Sequence, residues 1–187
     1  MDITDEDSIH AACEKIDGTI DIVVIATGIL HDENLQPEKT LNDLSMNNFN
    51  RVFAINCFGP AMVAKYLVPK MTRDTKSVFS VLSARVGSIS DNYLGGWYAY
   101  RASKAAVNMV LKNISIEVER KNKNAVVIGL HPGTVDTNLS KPFQANVKQG
   151  KLFTTDYAAD QLFDVIRNCD VMDTGKLFDY NNDVIEF

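Results

Sequence analysis

Apolar residues along the chain fall into two alternating kinds of stretch. Asp21-Ile22-Val23-Val24-Ile25-Ala26 is a continuous β-branched run that ends at Thr27-Gly28. Ser77 to Ser83 and Ala125 to Leu130 are similar runs. Uninterrupted runs of this length predict strands buried on both faces, as in a parallel sheet. Between them the period changes. Met46, Phe49, Val52 and Phe53 follow helical spacing, with Ser45 placed to cap. A second helix is expected from Met62 to Met71, beyond Gly59-Pro60, and a long one from Tyr98 to Lys121. Arg120, Lys121 and Lys123 suit the latter's C-terminal end. Thr154 and Asp156 mark a further helix start, with Leu162, Phe163, Val165 and Ile166 facing inward. Lys176 to Tyr180 reads as a last strand, followed by an Asn181-Asn182-Asp183 turn.

Strands alternating with helices predict an α/β fold with a doubly wound parallel sheet in one domain, residues 1–187. Ligands of such sheets sit at the carboxyl ends of the strands. Thr27-Gly28, Ser83 and His131-Pro132-Gly133 all fall at such ends. Tyr100 and Lys104 stand four apart in the first turn expected of the long helix, hence on one face. A lysine beside a phenol favours the tyrosinate, and a tyrosine tuned this way can transfer protons near neutral pH. Alone the spacing is a weak signal. With Ser83 and Asn56 upstream it becomes a candidate site.

The chain carries 19 basic and 24 acidic residues, a net charge of −5, which argues against a nucleic-acid partner. The acidic start from Met1 to Asp7 shows no signal peptide, and no apolar run is long enough for a bilayer. Cys13, Cys57 and Cys169 lack metal spacing and read as reduced thiols of a cytoplasmic protein. His131 has no evident carboxylate partner and reads as structural; Arg85 reads as a solvated surface residue.

Asn56, Ser83, Tyr100 and Lys104, in this order, resemble the site of the short-chain dehydrogenase/reductase family, with its Rossmann-like fold. The nearest look is to the C-factor-like bacterial branch. The 27 residues from Asn56 to Ser83 fit the family. The 17 from Ser83 to Tyr100 are somewhat more than usual, with the excess in the loop Ser88 to Gly96. The branch carries a similar stretch. The resemblance implies NAD or NADP as cofactor and a small carbonyl or alcohol substrate. It makes Tyr100 the acid or base, Lys104 its tuner and a ribose ligand, Ser83 the substrate-oxygen ligand and Asn56 the holder of a relay water. Asp2-Ile3-Thr4 resembles the segment whose aspartate meets the adenine. Pro132-Gly133-Thr134-Val135-Asp136-Thr137 resembles the segment that meets the nicotinamide carboxamide. Cofactor contacts are therefore expected at Asp2, Ala26, Gly28, Tyr100, Lys104, Pro132, Gly133, Val135 and Thr137. No metal site is expected.

The chain departs from the family in two places. Where relatives have Asn-Asn-Ala-Gly, it has Ile25-Ala26-Thr27-Gly28. It also shows no strand, glycine-rich turn and helix to hold a pyrophosphate. The expectation is an N-terminally truncated chain lacking about 50 residues, on the scale of one and a half βαβ units. The helices around Met62–Met71 and Tyr98–Lys121 resemble the pair that builds family dimers and tetramers, so a homo-oligomer is expected. A cofactor-free regulatory relative that works by association is the alternative.

Overall fold

The computed structural model describes the whole chain, Met1–Phe187. Its centre is a five-stranded sheet whose strands, in spatial order, are β1 (Ile22–Ile25), β2 (Ser77–Leu82), β3 (Ala125–His131), β6 (Leu177–Asp179) and β7 (Val184–Ile185), while the short β4 (Thr134–Val135) and β5 (Leu152–Phe153) pair apart from it. The first four run parallel, and β7 turns back antiparallel to β6. This is a mostly parallel, Rossmann-like α/β sheet, as the alternation of runs predicts.

The two central strands bury both faces because each face has a helical layer. Phe79 and Val81 of β2 and Val127 of β3 pack with Val63, Leu67, Val107 and Leu111 on one side. Val78, Val126, Ile128 and Leu130 pack with Leu162, Val165 and Ile166 on the other. The first layer holds α1 (Glu6–Glu14), α2 (Met46–Phe53), α3 (Gly59–Leu67) and α4 (Tyr98–Lys121); the second is α5 (Thr155–Asn168). Thr154 caps α5 by accepting the Tyr157 N–H at 3.2 Å.

Three expectations are corrected here, and one helix is added. β1 is buried on one face only: Val23 and Ile25 enter the core, while Ile22 and Val24 are exposed. The α5 layer covers residues of β2, β3 and β6 and none of β1. Phe163 is half exposed at the cavity described below, where an inward position was expected. The acidic N-terminus contains a helix, α1, whose cap Asp5 accepts the Asp7 N–H at 3.0 Å and whose inner face carries buried Ile9 and Cys13. Two apolar residues give too faint a period to stand out in the sequence.

The third correction concerns Gly59-Pro60, which does not separate two helices. Met46–Lys70 is one continuous helix, and residues Ala54–Phe58 form a single π turn within it. Pro60 directly follows the π turn, the irregular point of the helix at which a residue without an N–H is accommodated. Gly59 is required by contact: a Cβ there would lie 2.6 Å from the Ile3 carbonyl oxygen. By length and composition this helix is a membrane-span candidate. Here Val52, Cys57, Val63 and Leu67 are buried in the fold, as in a core helix.

Candidate active site

The carboxyl ends of β1, β2 and β3 open into a cavity of about 790 Å³. Gly28, Ser83, Tyr100, Lys104 and His131 line it, so the structure brings these five together. Its far wall comes from the segment after β3, which carries the short strands β4 (Thr134–Val135) and β5 (Leu152–Phe153), and from α5.

Tyr100 and Lys104 share one face of α4, as the spacing requires. Lys104 is 3% exposed, and its Nζ donates to the Leu82 carbonyl oxygen at 2.7 Å. Burial pushes its pKa down to about 8, against a small opposing pull from Cys57. The ammonium lies 5.7 Å from the Tyr100 ring centroid. The expected stabilisation of a tyrosinate is not what the site shows: burial pushes the Tyr100 phenol up to about 12. At this separation, with the lysine spending a proton on Leu82, desolvation outweighs attraction.

Ser83, at the end of β2, is buried and donates to Asn108 Oδ1 at 2.6 Å. Asn108 is itself buried, and its Nδ2 has no partner. Sequence reasoning missed Asn108, although Tyr100, Lys104 and Asn108 follow each other at intervals of four along one helix face. Asn56 sits in the π turn behind the wall, not on the cavity lining. Its Oδ1 accepts the Ile29 N–H at 2.8 Å, and its Nδ2 donates to the Ile29 carbonyl at 2.9 Å and to Ser103 Oγ at 3.1 Å. Ser103 Oγ donates in turn to the Tyr100 carbonyl at 2.8 Å. Asn56 thus ties the loop after β1 to the first turn of α4.

Of the expected cofactor contacts, Ala26, Gly28, Pro132, Gly133, Val135 and Thr137 line the cavity with Tyr100 and Lys104. Asp2 does not. Its Oδ1 accepts the Thr4 N–H at 2.8 Å and the Thr4 hydroxyl at 2.7 Å, which hold its carboxyl below the usual range. Oδ1 is thus engaged in the N-terminal turn.

Three further residues shape the site without having been anticipated. Glu38 is 2% exposed and accepts the Ala99 N–H at 3.1 Å through Oε2, while Oε1 has no partner. Its carbonyl accepts the Trp97 N–H. Trp97 precedes α4 in a left-handed conformation, φ 51°, and supplies no side-chain cap. Phe143, from the segment after β3, packs on Trp97 with ring centroids 4.8 Å apart. Arg85 is exposed, as expected of a surface arginine, and pairs with Asp91 at 3.4 Å and with buried Asp179 at 3.1 Å. Burial, joined by Arg85 and opposed by Asp179, pushes His131 down to about 4.

The fold and the site define an α/β protein with a buried serine–tyrosine–lysine centre at the carboxyl ends of a parallel sheet. Residues 1–148 match the family model described as short chain dehydrogenase; the chain belongs to this family. It is 34% identical over 102 residues to the C-signal protein of Myxococcus xanthus, covering 54% of this chain and 60% of that protein. It is 30% identical over 146 residues to 1-hydroxy-2-glutathionyl-2-methyl-3-butene dehydrogenase of Rhodococcus sp. (strain AD45), covering 76% of this chain and 60% of the relative. The chain therefore spans somewhat under two thirds of the length of these two relatives. Among solved structures, NADPH-bound carbonyl reductase from chicken fatty liver superimposes with a TM-score of 0.86 at 22% identity, over all of this chain and 75% of that one. Carbonyl reductase Sniffer of D. melanogaster gives 0.86 at 19%, over 100% and 76%. Both share the fold.

Proposed function

We propose that this site serves an oxidoreductase that transfers a hydride between a nicotinamide cofactor, NAD or NADP, and a carbonyl or alcohol. The observation that carries the reading is the convergence of Ser83, Tyr100 and Lys104 on one cavity. Names of relatives, a dehydrogenase and NADPH-bound or other carbonyl reductases, point the same way.

The residues present fit the nicotinamide and its ribose. Gly28 leaves open the space a side chain would fill: a Cβ there would come within 3.6 Å of Lys104 Nζ and 3.5 Å of Asn56 Oδ1. Lys104 would hold the ribose hydroxyls, and Pro132, Gly133, Val135 and Thr137 would line the carboxamide. When bound, the cofactor supplies or accepts the hydride.

The chain's own residues handle the proton and the substrate oxygen. With its pKa pushed up to about 12, Tyr100 stays a phenol at neutral pH and donates to a carbonyl oxygen. Ser83, whose proton points to Asn108 in the free site, turns it to the same oxygen and orients it. Lys104, charged below about pH 8, stabilises the phenolate that remains. Asn56 and Ser103 keep the first turn of α4 against the loop carrying Ile29, so Tyr100 does not drift from Ser83. Phe58, Met109 and Ile116 are exposed apolar residues on the α3–α4 side, suited to a homodimer contact.

The test is carbonyl reduction followed by loss of reduced-nicotinamide absorbance, with NADH and NADPH in parallel. Tyr100→Phe is expected to lower turnover by about 10²–10⁴-fold, the contribution of a positioned general acid. A Tyr100→Phe protein that keeps its turnover would overturn the assignment.

A further inference from the structure

The wall of the cavity beside Tyr100 is aromatic, and its construction is costly enough to need a reason. Trp97 sits at φ 51°, a backbone region that bulky residues avoid. The strain is held in place by Glu38, whose carbonyl accepts the Trp97 N–H. The indole is thereby set with its centroid 6.2 Å from the Tyr100 ring and 4.8 Å from Phe143, edge to face in both pairs. Phe143 also packs with His31, 5.5 Å away in a T-shaped pair. His31 Nε2 lies 3.1 Å from the carbonyls of Asn138 and Leu139; carbonyls only accept, so Nε2 carries the proton. A strained residue and a latched segment thus hold a rigid pair of rings next to the reacting group. Strain of this kind gathers at ligand clamps.

The rest of the lining narrows the chemistry. Leu30, Val86, Leu139 and Val147 add aliphatic surface. Lys104 is the only charged side chain on the cavity wall, and it stands at the reacting end, 5.7 Å from the Tyr100 ring centroid, with one donor on Leu82. No arginine waits for a carboxylate or phosphate: Arg85 is paired with Asp179 and does not line the cavity.

We propose that Trp97 and Phe143 form a substrate subsite for an uncharged, ring-bearing ketone or aldehyde and its alcohol, with the ring packed on the two side chains and the oxygen toward Tyr100 and Ser83. The proposal rests on the hydride-transfer reading for the direction of the oxygen, and its binding half can be measured without turnover. Buried unpaired charge is costly, so a carboxylate on the same ring is rejected. Very short alcohols lack the ring and gain little.

Trp97 is the only tryptophan in the chain, so its fluorescence reads the subsite directly. The 187-residue chain is titrated with benzyl alcohol, 4-(hydroxymethyl)benzoate and ethanol, with excitation at the red edge of indole absorption. Benzyl alcohol is expected to change Trp97 emission saturably. The carboxylate should bind at least about tenfold more weakly, and ethanol should not saturate. Phe143→Ala should weaken benzyl alcohol about tenfold, the scale of one aromatic contact, and Phe143→Leu by less. Equal binding of the carboxylate and the neutral alcohol, no saturable signal, or indifference to Phe143→Ala overturns the subsite. With cofactor present, ring-selective binding without any turnover overturns hydride transfer and leaves the subsite. Turnover that ignores the ring does the reverse.

Discussion

Truncating Glu38 to alanine tests whether α4, and with it Tyr100, is held from outside the helix. A 24-residue helix ordinarily begins with a residue whose side chain satisfies an N–H of the first turn. Trp97 cannot do this, and Glu38 supplies the oxygen from a distant segment. Glu38→Ala leaves the buried Ala99 N–H without a partner, at about 1–3 kcal/mol. The known cost of losing a cap, about 0.5–2 kcal/mol, describes the same bond and is not added again. About 2 kcal/mol is therefore expected, or about 4–8 °C in melting temperature for a chain of this size. Glu38→Gln keeps an acceptor oxygen and loses only the charge near the helix N-terminus, about 0.3–1 kcal/mol. Urea unfolding read by circular dichroism and by Trp97 fluorescence gives both numbers. The reasoning fails if alanine costs under about 0.5 kcal/mol, or if glutamine costs as much as alanine.

Two further outcomes concern pH. Lys104 releases its proton at about pH 8 in the fold and at an ordinary 10.5 when unfolded. Below pH 8 its buried charge destabilises the fold, and stability recovers as pH rises from about 8 to 10.5, where the unfolded chain binds the extra proton. Lys104→Met should therefore gain about 2 kcal/mol near neutral pH, after allowing for the lost bond to Leu82, and lose this advantage near pH 10. A gain that does not change with pH refutes this. His131 holds its neutral form down to about pH 4, against an ordinary 6.5. Its share of stability is complete above 6.5 and falls as pH drops through 4, so from about pH 7.5 to 5 the parent should lose about 2 kcal/mol more than His131→Gln. Equal urea midpoint shifts in parent and variant would show that this histidine does not titrate as described.

The elements legible in the sequence were those with strong local signals. β2, β3 and α4 announce themselves by long apolar runs or a sustained helical period, and Ser83, Tyr100 and Lys104 by their places on them. What escaped depends on contacts between distant segments. Nothing near Glu38 reveals that it faces a helix beginning at Tyr98. The exposed face of β1 could not be seen because Ile22 and Val24 are as apolar as Val23 and Ile25; only the reach of α5 distinguishes them. The short β7 has two residues and no period at all. The phenol–ammonium spacing correctly placed Tyr100 and Lys104 on one face, but their titration depends on burial and on Leu82, which spacing does not encode.

The π turn at Ala54–Phe58 also sets which mutations this gene can tolerate. A π turn holds one residue more than an α turn, so loss of a single codon there would let the helix relax into regular α form. The residue removed is the extra one, so the α-helical parts on either side would keep their phase, whereas a deletion within either of those parts would rotate one side against the other by about 100°. Val63, Ala64 and Leu67 would stay in the core, and what would be disturbed is the placement of Asn56 against Ile29 and Ser103. The turn is thus where this helix can give up a residue without a change of frame. In a deletion scan of Met46–Lys70, fold stability should therefore survive a loss within Ala54–Phe58 better than a loss within Gly59–Leu67.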